Sequence, residues 1–143
     1  MILLDANVLL YAYDASSLLQ GKAARWLEQA LDGNEPVGLP WLTAWAFVRI
    51  ATNARVQERP LLVEEAMGVI DALKAHAQVV MVGPGRKHWL LLAEQMKASN
   101  VRGSGTTDAV LAALALEQGA RLASADVGFR RFPGVVWMNP VGD

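Results

Sequence analysis

Apolar positions along this chain switch between a strand-like and a helix-like spacing, and the switches mark out its elements. The run Ile2-Leu3-Leu4 is too short for a helix and reads as a buried strand over about residues 2–5. A short helix follows over Ala6–Ala12. Ala23, Trp26, Leu27, Ala30 and Leu31 recur at helical spacing in a second helix over roughly Leu18–Leu31, closed by Gly33-Asn34. Pro36 and Pro40 bracket a short crossing, VGL, and Pro40 opens a third helix from Trp41 to about Asn53. After an ERP turn, Leu61–Ala75 is a fourth helix. QVVMV (78–82) is a buried-strand pattern with a GPG breaker behind it, and Arg86–Ser99 is helical with Trp89, Leu92, Ala93 and Met96 on one face. NVRGSG is a loop, Thr107–Gln118 a helix ended by Gly119, ARLAS a strand, DVGFRRFPG an irregular turn and VVWM a last strand. Strands alternating with helices from end to end predict one α/β domain over residues 1–143, with a central, mostly parallel sheet covered by helices.

Composition narrows the function classes. With glycine counted in and tyrosine out, the apolar share rises from 53% to roughly 60%, above the usual 45–50%. Such an excess implies apolar surface covered by self-association or by another protein. There is no cysteine, hence no disulfide framework, thiolate metal site or cysteine nucleophile. No secretory signal pattern and no apolar run of about 18 residues is present, so a cytoplasmic location without a membrane span is expected. A net charge of −1 leaves any nucleic-acid binding to a local basic stripe.

Three aspartates share one place in this scheme. Asp5 ends the first strand, Asp108 lies in the first turn of the helix opened by SGTTD, and Asp126 follows the strand ARLAS. In an open α/β sheet the carboxyl ends of the strands form the ligand-binding edge, and all three can face it. Each also has an ordinary structural explanation: helix capping for Asp5, the helix dipole for Asp108, a turn for Asp126. Together they make an anionic rim without a neighbouring histidine cluster, which suits Mg²⁺ or Mn²⁺ rather than zinc. Phosphodiester hydrolysis is the chemistry such an ion supports best.

The segments LLDANVLLYA, TTDAVLAALALEQGARLASAD, GFRRFPG and VVWMNP, with ARWLEQAL and GLPW…AFVRIATN between them, resemble the PIN domain, in particular the VapC ribonuclease toxins of bacterial toxin–antitoxin pairs. The resemblance implies a PIN-type three-layer α/β/α sandwich. It implies a Mg²⁺-dependent endoribonuclease cutting tRNA or rRNA, usually a homodimer, neutralised by a VapB-like antitoxin. By position, Asp5, Asp108 and Asp126 match family acids that hold the metal, and Thr107 and Ser124 match hydroxyl residues placed to orient them. Asn7 falls where a polar residue is frequent; a hydrogen bond at the helix start explains it as well. One family feature is missing: PWLTAWAFVRIATNAR contains no Asp or Glu, and Leu42 and Ala46 stand near the place where a glutamate is common. Asp14 and Glu94 are candidates to replace it.

An RNA substrate needs cations for its phosphates. Arg49 and Arg55, with Arg59, Lys97 and Arg102, are candidates for the rim of the acidic site. Trp41 and Trp45, on one helical face with Val48, are expected first in the core and second on a dimer or antitoxin surface. His76 and His88 are isolated and not expected as ligands. The alternative reading is a degenerate PIN domain that binds RNA or an antitoxin without cutting. A dehalogenase-like phosphatase with Asp5 as nucleophile fits less well, because Asn7 stands where that chemistry wants an acid.

Overall fold

The computed structural model describes residues 1–142; Asp143, the last residue of the predicted domain, lies outside the described residues. Its strands are β1 (Ile2–Leu4), β2 (Val37–Pro40), β3 (Val79–Val82), β4 (Arg121–Ala123) and β5 (Trp137–Met138). The helices are α1 (Ala6–Tyr13), α2 (Gln20–Asp32), α3 (Trp41–Ala51), α4 (Val63–Ala75), α5 (His88–Ser99) and α6 (Thr106–Gln118). The strand order is β3-β2-β1-β4-β5, and all four pairings are parallel.

Side-chain alternation in the short strands divides the core in two, because successive residues point to opposite faces of a sheet. Ile2, Leu4, Val37 and Leu39 face a layer formed by α1 to α4, where Leu9, Leu27, Phe47 and Ile70 are buried. Leu3, Val82 and Leu122 face α5 and α6, joined by Phe129 and Phe132. The result is a three-layer α/β/α sandwich. Helix α6 buries Ala109, Ala112, Ala113 and Ala115, small residues that let it lie close to its neighbours. Gly119 ends it with φ 59°, in the left-handed region that glycine adopts without a Cβ penalty.

Since β1 is the central strand, the chain leaves it toward β2 on one side and meets β4 on the other. The strand order therefore reverses at β1, and this is where an open α/β sheet forms a crevice at its carboxyl edge. Thr43, buried near the start of α3, donates its hydroxyl to the carbonyl of Leu4 at 2.7 Å. That bond fixes α3 to the end of β1.

The central parallel sheet is as expected, and every one of its pairings is parallel. Other expectations change. Within the predicted irregular segments, Gly103–Gly105 and Val127–Arg131 form 3-10 turns. Trp41 and Trp45 are not in the core: they are 40% and 67% exposed. The seam of α3 that meets the rest of the molecule is Thr43, Ala44, Phe47 and Ala51, and this stripe leaves the two indoles on the outer shoulder of the helix.

Replacing Thr43 by valine keeps the shape and removes the donor. Urea unfolding is expected to show a loss of about 1–2 kcal/mol, the cost of leaving a buried carbonyl short of a partner.

Candidate active site

Register brings the first pieces together. Leu4 pairs with Ala123, so the residues that follow them, Asp5 and Ser124, emerge side by side at the carboxyl edge. Asp5 has extended backbone (φ −87°, ψ 154°) and caps α1, its Oδ1 accepting the Ala6 N–H at 2.7 Å. Its other oxygen, Oδ2, accepts the Ser124 hydroxyl at 2.6 Å and the Asn7 amide at 3.1 Å. Capping thus uses one carboxylate oxygen while the other joins a network.

Ser124 is completely buried and is the hub of that network. Its Oγ accepts the Asp126 N–H at 3.0 Å and the Asn7 amide N–H at 3.1 Å. Its carbonyl accepts the Trp137 indole N–H at 3.0 Å. Asn7 returns the connection through Oδ1, which accepts the Ala125 N–H at 3.0 Å. The asparagine amide and serine hydroxyl therefore tie the β1–α1 junction to the chain leaving β4. Asp126 begins the next turn, its Oδ1 accepting the Gly128 N–H at 2.7 Å.

Asp108 reaches the same edge from the first turn of α6, where the helix dipole favours an anion. Its Oδ2 pairs with the guanidinium of Arg131 at 2.9 Å. That guanidinium also lies over the Phe132 ring, 5.0 Å from its centroid. Arg131 escaped the sequence reading although GFRRFPG was singled out. The available signal was a pair of arginines, Arg130 and Arg131, four and five residues after Asp126 of the rim.

The electrostatics of the rim are unfavourable by construction. Burial raises the pKa of Asp5 above its ordinary 3.8; the Ser124 and Ala6 hydrogen bonds pull it down, and the charges of Asp108 and Asp126 push it up. Asp108 is likewise raised, first by burial and then by Asp126, with Arg131 opposing. The three acids thus share one field although they come from three separate elements.

Other candidates lie elsewhere or make no contact. Thr107 is exposed and makes no side-chain hydrogen bond to the acids among the described residues. Arg49 lines an apolar groove with Trp41, Trp45 and Met67. Arg55 is exposed in the turn after α3, its backbone N–H bonded to Asn53. Asp14 sits at the far end of α1, held by Ser16, and Glu94 is exposed on α5. Neither replaces the missing glutamate in the network. Leu42 packs against the α5–α6 core and Ala46 is half-buried, so α3 offers no carboxylate here. Arg102 does approach the site, lining a polar groove with Asp108 and Arg131.

Whether this set suits a divalent ion can be judged from its donors. Among the described residues no three His, Cys, Asp or Glu groups converge as a ready-made metal cluster. The donors present are hard carboxylate oxygens whose mutual repulsion a cation relieves, and Arg131 already supplies positive charge to one of them. That chemistry fits an ion that keeps several waters of its own.

The PIN domain family model matches residues 2–135. The chain belongs to the PIN domain family. It is 39% identical to ribonuclease VapC37 of Mycobacterium tuberculosis over 140 residues, covering 98% of this chain and 97% of that one. It is 36% identical to the VapC ribonuclease Mb2897 of Mycobacterium bovis over 141 residues, covering 99% and 96%. In fold it matches a chain in the structure of VapBC-1 from nontypeable Haemophilus influenzae, with TM-score 0.69 and 22% identity over 99% of this chain and 100% of that one. Both relatives named are VapC ribonucleases, aligned with this chain over nearly their whole length.

The raised carboxyls make this PIN domain's stability depend on pH with a definite sign. A carboxyl whose folded pKa exceeds its unfolded value binds more protons when folded, so stability is lost as pH rises through that window. Asp108→Asn is expected to raise the melting temperature by a few degrees at pH 7, with the gain vanishing below about pH 4. A melting series against pH checks it; equal curves for both proteins at neutral pH would contradict the shared-field account.

Proposed function

We infer that this PIN domain is a metal-dependent endoribonuclease toxin of the VapBC type. The reading is supported by Asp5, Asp108 and Asp126 lying near enough along one edge for Asp108 and Asp126 to push up the Asp5 carboxyl, in a chain aligned over nearly its whole length with VapC ribonucleases. Mg²⁺, with Mn²⁺ as substitute, would be held by these three carboxylates. When bound, such an ion supplies Lewis-acid polarisation of a phosphate and lowers the pKa of water.

The chain's own residues do the rest. Ser124 and Asn7 orient one oxygen of Asp5 while Ala6 holds the other, so the carboxylate does not reorganise when charge builds beside it. Asp126 is fixed through its N–H and its Oδ1 to the same hub and the following turn. The substrate is tRNA or rRNA, the partner a VapB-like antitoxin, the assembly a homodimer and the location the cytoplasm. The exposed Trp41 and Trp45 and the apolar excess support a covered surface.

A second reading is favoured by one feature, the absence of any acid on α3. In it the domain binds RNA or its antitoxin without cutting, and binding survives chelation.

Purified protein freed of antitoxin is expected to cut cellular RNA into discrete fragments with Mg²⁺ or Mn²⁺, and not with chelator. Asp5→Asn and Asp108→Asn abolish the fragments. Folded protein that cuts no RNA class with either metal would leave the non-cutting reading standing. Ser124→Ala is expected to lower the cleavage rate roughly 10- to 100-fold, the usual cost of losing a residue that orients a metal ligand.

A further inference from the structure

We propose that Arg102 and Arg131 form a two-guanidinium clamp for the RNA backbone, in the polar groove beside Asp108. The inference rests on the ribonuclease reading and names residues that place the strand. The groove has a volume of about 420 Å³ and is lined by Arg102, Ser104, Gly105, Asp108 and Arg131 among others. Asp108 belongs both to this groove and to the acidic rim.

Its shape follows from the loop before α6. Gly103 takes φ 62°, a conformation side chains resist, and starts the 3-10 turn that leads into the helix. At Gly105 a Cβ would stand 2.6 Å from Val101 Cγ1, so only glycine lets the turn pack against Val101. Arg102 stands just before these glycines and lines the same groove as Arg131.

The two arginines are presented differently. Arg131 is pre-set: Asp108 takes one contact from its Nη2, and Phe132, buried in the core, lies beneath its plane. One contact leaves the rest of its five-donor fork for a phosphate. Arg102 is exposed and has no ion-pair partner among the described residues. Two arginines and one carboxylate line this groove, which makes it cationic next to a rim that is otherwise anionic. A polyanion approaching three acids needs such a strip, and planar forks that bond two phosphate oxygens suit it better than isolated ammonium groups. Arg49, the earlier candidate, stands instead in an apolar groove where a phosphate would lose its hydration.

The test measures affinity apart from cleavage. Binding of a fluorescent single-stranded RNA to the Asp5→Asn protein is followed by anisotropy over a salt series, with Arg102→Gln or Arg131→Gln added. Arg25→Gln, on exposed α2, is the charge-matched control. Each clamp substitution is expected to weaken binding roughly tenfold at moderate salt and to reduce the salt slope by about 0.7, as for one lost phosphate contact. The control is expected to leave the slope near that of its parent. Arg131→Gln also uncovers Asp108, so Asp108→Asn is combined with it. If Arg131 touches phosphate, the loss persists when Asp108 is neutral; full recovery would show that it only masked a repelling charge and would overturn its place in the clamp. Unchanged slopes for both arginine variants, in a protein whose wild-type form still cuts RNA, would overturn the clamp and leave the nuclease standing. An Asp5→Asn parent that binds no RNA, beside a wild-type protein that cuts none, would sink both.

Discussion

Everything at the carboxyl edge depends on the 2.6 Å hydrogen bond from the buried Ser124 hydroxyl to Asp5. It joins the ends of two adjacent parallel strands that lie far apart in sequence. Because Ser124 also accepts from the Asp126 backbone and the Asn7 amide, one hydroxyl positions two of the three acids. A buried oxygen with this many partners is over-determined, which holds a charged group steady in a partly desolvated place. The strand register Leu4 to Ala123 sets the contact, and the core residues on both faces of the sheet set the register.

The rim stands in tension with the fold around it. Burial and mutual repulsion raise the proton affinity of Asp5 and Asp108, so at neutral pH the folded state carries charge it would be more stable without. The remainder of the molecule absorbs that cost through two apolar layers and the buried tie from Thr43 to Leu4. Arg131 offsets part of it on Asp108 and links the acidic rim to the cationic groove.

The third helix shows how one face of an element is assigned by packing rather than by polarity. Trp41 and Trp45 were expected first in the core, yet the buried seam is Thr43, Ala44, Phe47 and Ala51. Trp41 and Trp45 are left outside, between two apolar grooves. This leaves an apolar surface on the outer shoulder of α3. Indole rings suit an interface, being large and carrying little rotamer entropy for their area.

The order of strands and helices, the three acids and the capping role of Asp5 were legible in the chain, because periodicity and local hydrogen bonding act over a few residues. Ser124 and Asn7 were visible as positions but not as a pair, since their bond spans 117 residues. The same limit hid Arg131, whose partner Asp108 is 23 residues away, and misplaced Arg49, whose helical face only packing chooses. The sequence by itself determined which elements form and which carry charge, through interactions between near neighbours. Tertiary structure alone decided which charges meet, because the parallel sheet sets distant strand ends side by side and the core orients each helix that brings a side chain to them.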